Sequence, residues 1–347
     1  MKAIRLIENS KIVIEEIEKP KILEDDDVLV NIKYSGICGS DYVRFFENQA
    51  KYYPIVITHE FSGIIEDVGK NVKNLNKGDK VCCIPLKPCF ECNDCNLGNY
   101  SLCKNYGFIG SREDGGLQEY KILKEKNLKK LPNNFNLKYG AFFEPLTVVL
   151  HGLNVIGSLK NNLLENKSVA VIGVGSIGIL ALQVLKSMNC IVTAIDIDDE
   201  KLEMCRNKFN ADYIINSKNE NEILNNLNKF DYVIETSGAN QSFYISLKLV
   251  KNKGDILYIG TPHNDLKFDF RDFELINRKE LTIKGSWMNY SKEFPGYEWD
   301  KAIELFEKNL INLDEIISDD VDMEGFIKIF EKYKNRLNKG KIFVSIR

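Results

Sequence analysis

Four cysteines fall close together in the stretch CFECNDCNLGNYSLC, at Cys89, Cys92, Cys95 and Cys103. The spacing C-x2-C-x2-C-x7-C lets four thiolates close a tetrahedral shell around one zinc ion. Four protein ligands leave no position for water or substrate. The cluster therefore predicts a structural zinc, whose binding energy becomes local folding energy. An iron–sulfur cluster also takes four thiolates and stays open as an alternative. Disulfides conflict with the reducing compartment that the rest of the sequence predicts.

A second set of ligand types is scattered. SGICGSD carries Cys38, Ser40 and Asp41, ITHEFSG carries His59 and Glu60, and FFEPLTV carries Glu144. One thiolate, one imidazole and one or two carboxylates make a mixed shell. Three such ligands leave the open position that a catalytic zinc needs. Singly, each has a bland reading. Cys38 suits a small buried apolar position, His59 a satisfied core histidine, and Glu144 a helix N-terminus. His151 and His263 are read as structural.

A third motif, GVGSIG, spans residues 173–178 between a strand-like and a helix-like segment. Gly173 permits a tight turn, Gly175 lets the backbone approach a pyrophosphate, and Gly178 allows close helix–strand packing. Ser176 and Ile177 open the following helix, whose N-terminus faces the anion. Asp196 ends the next strand, where a carboxylate bonds ribose hydroxyls and repels a 2′-phosphate. NAD is expected over NADP. The bland alternative is a glycine turn that binds nothing.

These motifs need elements to hold them. Up to about residue 150 the chain is β-rich, in short apolar runs that stop at Gly, Asn or Asp. No long helical period is visible there before FFEPLTVVLHGLNVI. From residue 168 to 286, six strand-like runs alternate with helices, which predicts parallel βαβ units in a doubly wound sheet. The tail is helical and ends on strand-like GKIFVSIR, expected to return to the first domain. The 347 residues favour two domains. A net charge of -3 gives no electrostatic reason to bind nucleic acid or an anionic membrane. The first twenty residues lack a secretory pattern, and no run approaches the length of a membrane span. With nine cysteines, a cytoplasmic location is expected.

Taken together, GICGSD, HEFSG, VGKNVKNLNKGDKV, the four-cysteine lobe, the EP segment and GVGSIG resemble the zinc-containing medium-chain dehydrogenases. YYPIVITHEFSG, IPLKPCFEC, FIGSREDGG and RKELTIKGSWMNYSKEFPGYEW are similar to the polyol branch of that family. The resemblance implies an α/β chain. A GroES-like β-rich catalytic domain would occupy 1–152, with a zinc lobe at about 85–105. A Rossmann NAD-binding domain would occupy 153–290, and 291–347 would return to the first. It implies that Cys38, His59 and Glu144 hold a catalytic zinc, with Glu60 a ligand in some states or acting just outside the shell, so that each chain carries two zinc ions. Ser40 would relay the departing proton. The family usually has Gly before the His-Glu pair; here it is Thr58. The implied reaction is NAD+-dependent oxidation of a polyol phosphate, galactitol 1-phosphate giving tagatose 6-phosphate, by a homodimer or homotetramer. Arg44, Lys51 and Arg112 are candidates to bind the substrate phosphate. Rival readings are a dehydrogenase of an unphosphorylated polyol or diol, and a non-catalytic NAD-binding scaffold.

Overall fold

The computed structural model describes every residue except 158, 160–162, 263 and 347, so His263 lies outside the described residues. The chain forms two compact units. The first comprises Met1–Pro145, Tyr290–Trp299 and the chain from Ile316 onward; the second comprises Leu146–Asn289 and Asp300–Glu315.

The first unit is built on the strand Asp27–Gly36, the sequence DVLVNIKYSG, most of which is buried. Its neighbours are Glu60–Val68 and, near its end, Lys341–Ser345, both antiparallel. The full sheet runs Ile317–Asp322, Lys341–Ser345, Asp27–Gly36, Glu60–Val68, Lys80–Cys83, Leu128–Lys130, and Tyr120–Lys124 also pairs with Asp27–Gly36. Register places Gly36 opposite both Glu60 and Phe343. Cys38 and His59 therefore leave the sheet at the same end, although twenty residues separate them.

A short helix, Gly39–Phe46, begins immediately after Cys38. Two turns are too few to display a helical period in sequence. Its stability comes from its ends and its packing. The Asp41 carboxylate accepts from Cys38 N at 2.9 Å, a cap on the first turn. Phe45 packs against Phe326 and Phe330 of the helix Met323–Lys334.

Among the described residues of the second unit, six strands pair in parallel. Their order is Tyr213–Asn216, Ile191–Asp196, Ser168–Ile172, Phe230–Glu235, Val250–Tyr258, Thr282–Gly285. This is the doubly wound 3-2-1-4-5-6 arrangement, whose topological switch lies between the first and fourth strands. Val169, Ala170, Val171 and Val233 are fully buried, as strands covered on both faces require. Among the described residues no helix is long and apolar enough to cross a membrane.

One buried lysine closes a helix in this unit. Lys279 Nζ donates to the carbonyls of Leu247, Val250 and Lys248 at 2.7, 2.8 and 3.1 Å. These lie at the C-terminus of the helix Asn240–Leu249, where carbonyls lack intrahelical partners and a cation is favourable. Lys279→Met keeps the stem but strands those acceptors. It should cost about 1–3 kcal/mol, read as a lower urea midpoint at unchanged m-value.

Candidate active site

Sheet register brings one thiol, one imidazole and one carboxylate together. Ligand atoms of Cys38, His59 and Glu60 all lie within 4.8 Å of one another. His59 and Glu60 are almost fully buried. Among the described residues, none makes a hydrogen bond to His59 Nδ1 or Glu60 Oε1. Buried polar atoms left without hydrogen bonds are costly, and a shared cation would satisfy them. The donor set is of the kind zinc takes, so the residues fit such an ion.

The surrounding groups fix these side chains. Asp41 is fully buried; one of its oxygens is 3.6 Å from His59 Nδ1, too long for a hydrogen bond, and 3.0 Å from the Arg44 guanidinium. Burial pushes the Asp41 carboxyl up, but His59 and Arg44 outweigh it and hold it below the usual carboxylate range. Burial likewise pulls the His59 imidazole down, and the Asp41 carboxylate and Cys38 sulfur raise it well above its usual value. Phe108 lies edge-on to the imidazole at 5.3 Å between ring centroids. Tyr333 donates its hydroxyl to the Cys38 carbonyl at 3.4 Å.

Glu60 forms an ion pair with Lys341, and both are buried. This pair crosses directly over Gly36. A Cβ there would lie 2.8 Å from Glu60 Oε2 and 3.2 Å from Lys341 Cε. Burial opposes the charge on Lys341, but Glu60 and Cys38 keep its pKa raised. Glu144, in the first turn of the helix Phe143–Val155, is outside the close group of three. It lies within its electrostatic reach. Burial pushes its carboxyl up to about 7, against the pull of the nearby His59. A divalent cation among these groups would invert that balance and favour the carboxylate.

Ser40 donates to Cys38 Sγ at 3.4 Å. Arg44 reaches Ser40 Oγ at 3.1 Å and the Ser40 carbonyl at 2.9 Å. Arg112 donates to the Tyr106 carbonyl at 2.8 Å and stacks over the Tyr106 ring. Two of the three candidate phosphate donors therefore already have partners, while Lys51 is exposed.

In the four-cysteine lobe, Cys89 and Cys95 sulfurs are 3.9 Å apart, Cys92 and Cys103 3.9 Å, and Cys103 and Cys89 3.5 Å. Sulfurs sharing one zinc at about 2.3 Å sit roughly 3.8 Å apart in a tetrahedron, so these residues fit a single ion. The thiolates of an iron–sulfur cluster, spread over several irons, would stand farther apart. All four are free thiols. Backbone amides of Glu91 and Cys92 lower the Cys89 thiol to about 7. Phe294 lies edge-on to both Phe90 and Tyr100 of the lobe and stacks on Tyr290, whose hydroxyl accepts from Leu86 N.

In the second unit, Gly173 ends the first strand with φ +86°, and a Cβ there would meet Ser237 at 2.6 Å. Gly175 caps the helix Ser176–Ser187 beside open space, a cradle of the kind that suits a pyrophosphate. A Cβ on Gly178 would collide with the Gly173 carbonyl. Asp196 accepts from Val174 N at 2.7 Å and from Ile197 N at 2.7 Å. Asp198 N also donates to the oxygen that Ile197 N reaches, at 3.1 Å, so it is the oxygen facing Val174 N that keeps a further lone pair for a ribose hydroxyl. Glu235 was not legible as a site residue. One of its oxygens accepts from Ser237 N, Ser237 Oγ, Gly238 N and Ser242 Oγ at 2.5–2.9 Å. It shapes the loop whose Thr236 Oγ1 donates to the Gly173 carbonyl. Its sequence signal is a carboxylate ending the fourth strand before Thr-Ser-Gly.

Residues 24–133 match the model of the alcohol dehydrogenase GroES-like domain, and residues 176–308 that of zinc-binding dehydrogenases. The chain is 40% identical over 331 residues to galactitol 1-phosphate 5-dehydrogenase of Escherichia coli (strain K12), covering 94% of each. It is 30% identical to D-arabitol-phosphate dehydrogenase of Enterococcus avium, over 89% of this chain and 87% of that one. The crystal structure of galactitol-1-phosphate dehydrogenase from Escherichia coli superposes with a TM-score of 0.94 at 38% identity, covering 99% of this chain and 100% of that one.

The two cysteine sites are separable by metal content. Cys92→Ser should lower bound zinc from about two to about one per chain and lower the melting temperature. Cys38→Ala should lose about one zinc as well, with the lobe zinc retained and turnover abolished. Atomic absorption and thermal melting on the two variants check both outcomes.

Proposed function

The chain belongs to the zinc-binding alcohol dehydrogenases with a GroES-like domain, and on that footing we propose that it oxidises a sugar-alcohol phosphate with NAD+, galactitol 1-phosphate to D-tagatose 6-phosphate. The observation that carries the substrate is the 40% identity along 94% of both chains with galactitol 1-phosphate 5-dehydrogenase. The 30% identity to D-arabitol-phosphate dehydrogenase supports a phosphorylated polyol.

In this reading Cys38, His59 and Glu144 hold the catalytic zinc with Glu60 in reach, and the four-cysteine lobe holds the structural one. When bound, the catalytic zinc supplies a Lewis acid that lowers the pKa of an alcohol, and NAD+ supplies the hydride acceptor. Ser40 Oγ, exposed and 3.4 Å from Cys38 Sγ, takes the hydroxyl proton toward solvent. Asp41 keeps the imidazole in place, and Lys341 compensates the Glu60 charge. Gly173, Gly175, Ser176, Ile177 and Gly178 receive the pyrophosphate at the helix N-terminus. Asp196 accepts from the ribose hydroxyls and repels a 2′-phosphate. A cytosolic homo-oligomer fits this reading. Its support is the nine free cysteines and the exposed edge strand Thr282–Gly285, a template for pairing with a second copy.

A second reading, an unphosphorylated polyol as substrate, has one specific observation in its favour: Arg44 and Arg112 are already engaged by Ser40, Asp41 and Tyr106.

NAD+ reduction with galactitol 1-phosphate, galactitol, sorbitol and 2,3-butanediol separates the readings. Charge-assisted bonds to a phosphate should raise kcat/KM for the phosphorylated substrate about tenfold or more over galactitol. Equal values move the assignment to an unphosphorylated polyol, and no turnover on any alcohol with NAD bound leaves the scaffold. In the same assay Asp196→Gly should narrow the preference for NAD+ over NADP+.

A further inference from the structure

Thr58 precedes the His59-Glu60 pair, is fully buried, and has φ +80°. That backbone conformation is unfavourable for an L-residue and most of all for a β-branched one. Strain of this kind persists only where surrounding contacts over-determine it. Here the contacts are visible. Thr58 Oγ1 is 2.7 Å from Ser35 Oγ, and Gly116 N donates to Thr58 Oγ1 at 3.2 Å and to the Thr58 carbonyl at 3.0 Å. Gly110 and Gly115 lack side chains where the Thr58 carbonyl lies; a Cβ on either would collide with it.

The three segments joined at this hydroxyl are those that build the mixed site. Ser35 is in the strand that leads into Cys38. Thr58 is bonded covalently to His59. Gly116 closes the loop that follows Phe108, the ring edge-on to the His59 imidazole. A hydroxyl between them converts sheet register, which is good to a residue spacing, into a fixed separation between two metal ligands.

We propose that Thr58 is a positioning residue for the metal pair Cys38 and His59, its side-chain hydrogen bonds holding a strained backbone so that the imidazole faces the thiolate at binding distance. This rests on the reading of Cys38 and His59 as zinc ligands. Strain and positioning then pull in opposite directions on substitution. Glycine relieves the backbone but removes the cross-link. Serine keeps the hydroxyl. Valine keeps the branched shape and loses the hydroxyl.

The test is zinc affinity of the holoenzyme by chelator competition, with the visible spectrum of the cobalt-exchanged enzyme and the melting temperature measured alongside. Thr58→Gly and Thr58→Val should weaken the Cys38 site about tenfold or more, the scale of an outer-shell change, and shift the cobalt spectrum. The lobe zinc should be unaffected. Thr58→Ser should match the parent in both readouts. For Thr58→Gly the melting temperature should stay level or rise, since the strain is released. Should Thr58→Val fail to fold, Thr58→Gly and Ser35→Ala carry the comparison. Unchanged zinc affinity and an unchanged cobalt spectrum in Thr58→Gly overturn the proposal, whatever its melting temperature. Cys38→Ala run in parallel identifies the site: if it too keeps both zinc ions, the ligand assignment fails along with the proposal.

Discussion

A carboxylate and an ammonium buried side by side, Glu60 and Lys341, set the conditions for everything around them. Neither charge is tolerable alone in that interior; removing one partner of such a pair typically costs about 3–5 kcal/mol. The pair also spans three strands. Glu60 starts one, Lys341 starts another, and Gly36 on the strand between them has no side chain because the bridge passes over it. The register of the sheet, the glycine and the ion pair are one constraint. Cys38 and His59 take their places from it.

The two cysteine-bearing sites differ in what they do with charge. In the lobe, four sulfurs would compensate a dication among themselves, and backbone amides such as Cys92 N already donate to the cluster. Nothing is left over for a substrate. The mixed site is unbalanced by design of its neighbours. Asp41, Glu60 and Glu144 bring carboxylates, Arg44 and Lys341 bring cations, and the imidazole lies among them. Such a site responds to small changes in distance. That explains why so many contacts, from Phe108 to Tyr333, are spent on holding it still.

Legibility in the sequence followed the range of the interactions. The cysteine lobe is made by one short stretch, so spacing alone pointed to it; the glycine loop needed the strand-like run before it and the helix-like run after it as well, and the alternating pattern after residue 168 displayed the six parallel strands. Cys38, His59, Glu60 and Glu144 were visible as residue types, but sheet register, not spacing, makes the first three neighbours and leaves Glu144 outside the close group. Lys341 carried no signal of its own, and Glu235 only that of a carboxylate ending a strand. Lys341 matters only because a distant strand pairs with Asp27–Gly36, and Glu235 only because a loop folds back onto its carboxylate. The arginines show the reverse. Arg44 and Arg112 were named as phosphate candidates from residue type and sequence position, and a sequence does not show that they also bond Ser40, Asp41 and Tyr106.

The first unit is assembled from three separate pieces of chain. On the ribosome, Asp27–Gly36 and Glu60–Val68 emerge early, while Lys341–Ser345 emerges after the whole parallel sheet of the second unit has been made. Until then Gly36 has an unpaired neighbour position and Glu60 lacks its counter-charge. Contacts this distant in sequence form slowly, because loop closure precedes any gain from them. The order of synthesis thus makes the mixed site among the last features to close. A partly translated chain already contains all four lobe cysteines, yet the mixed site lacks Lys341 until that strand pairs with Asp27–Gly36.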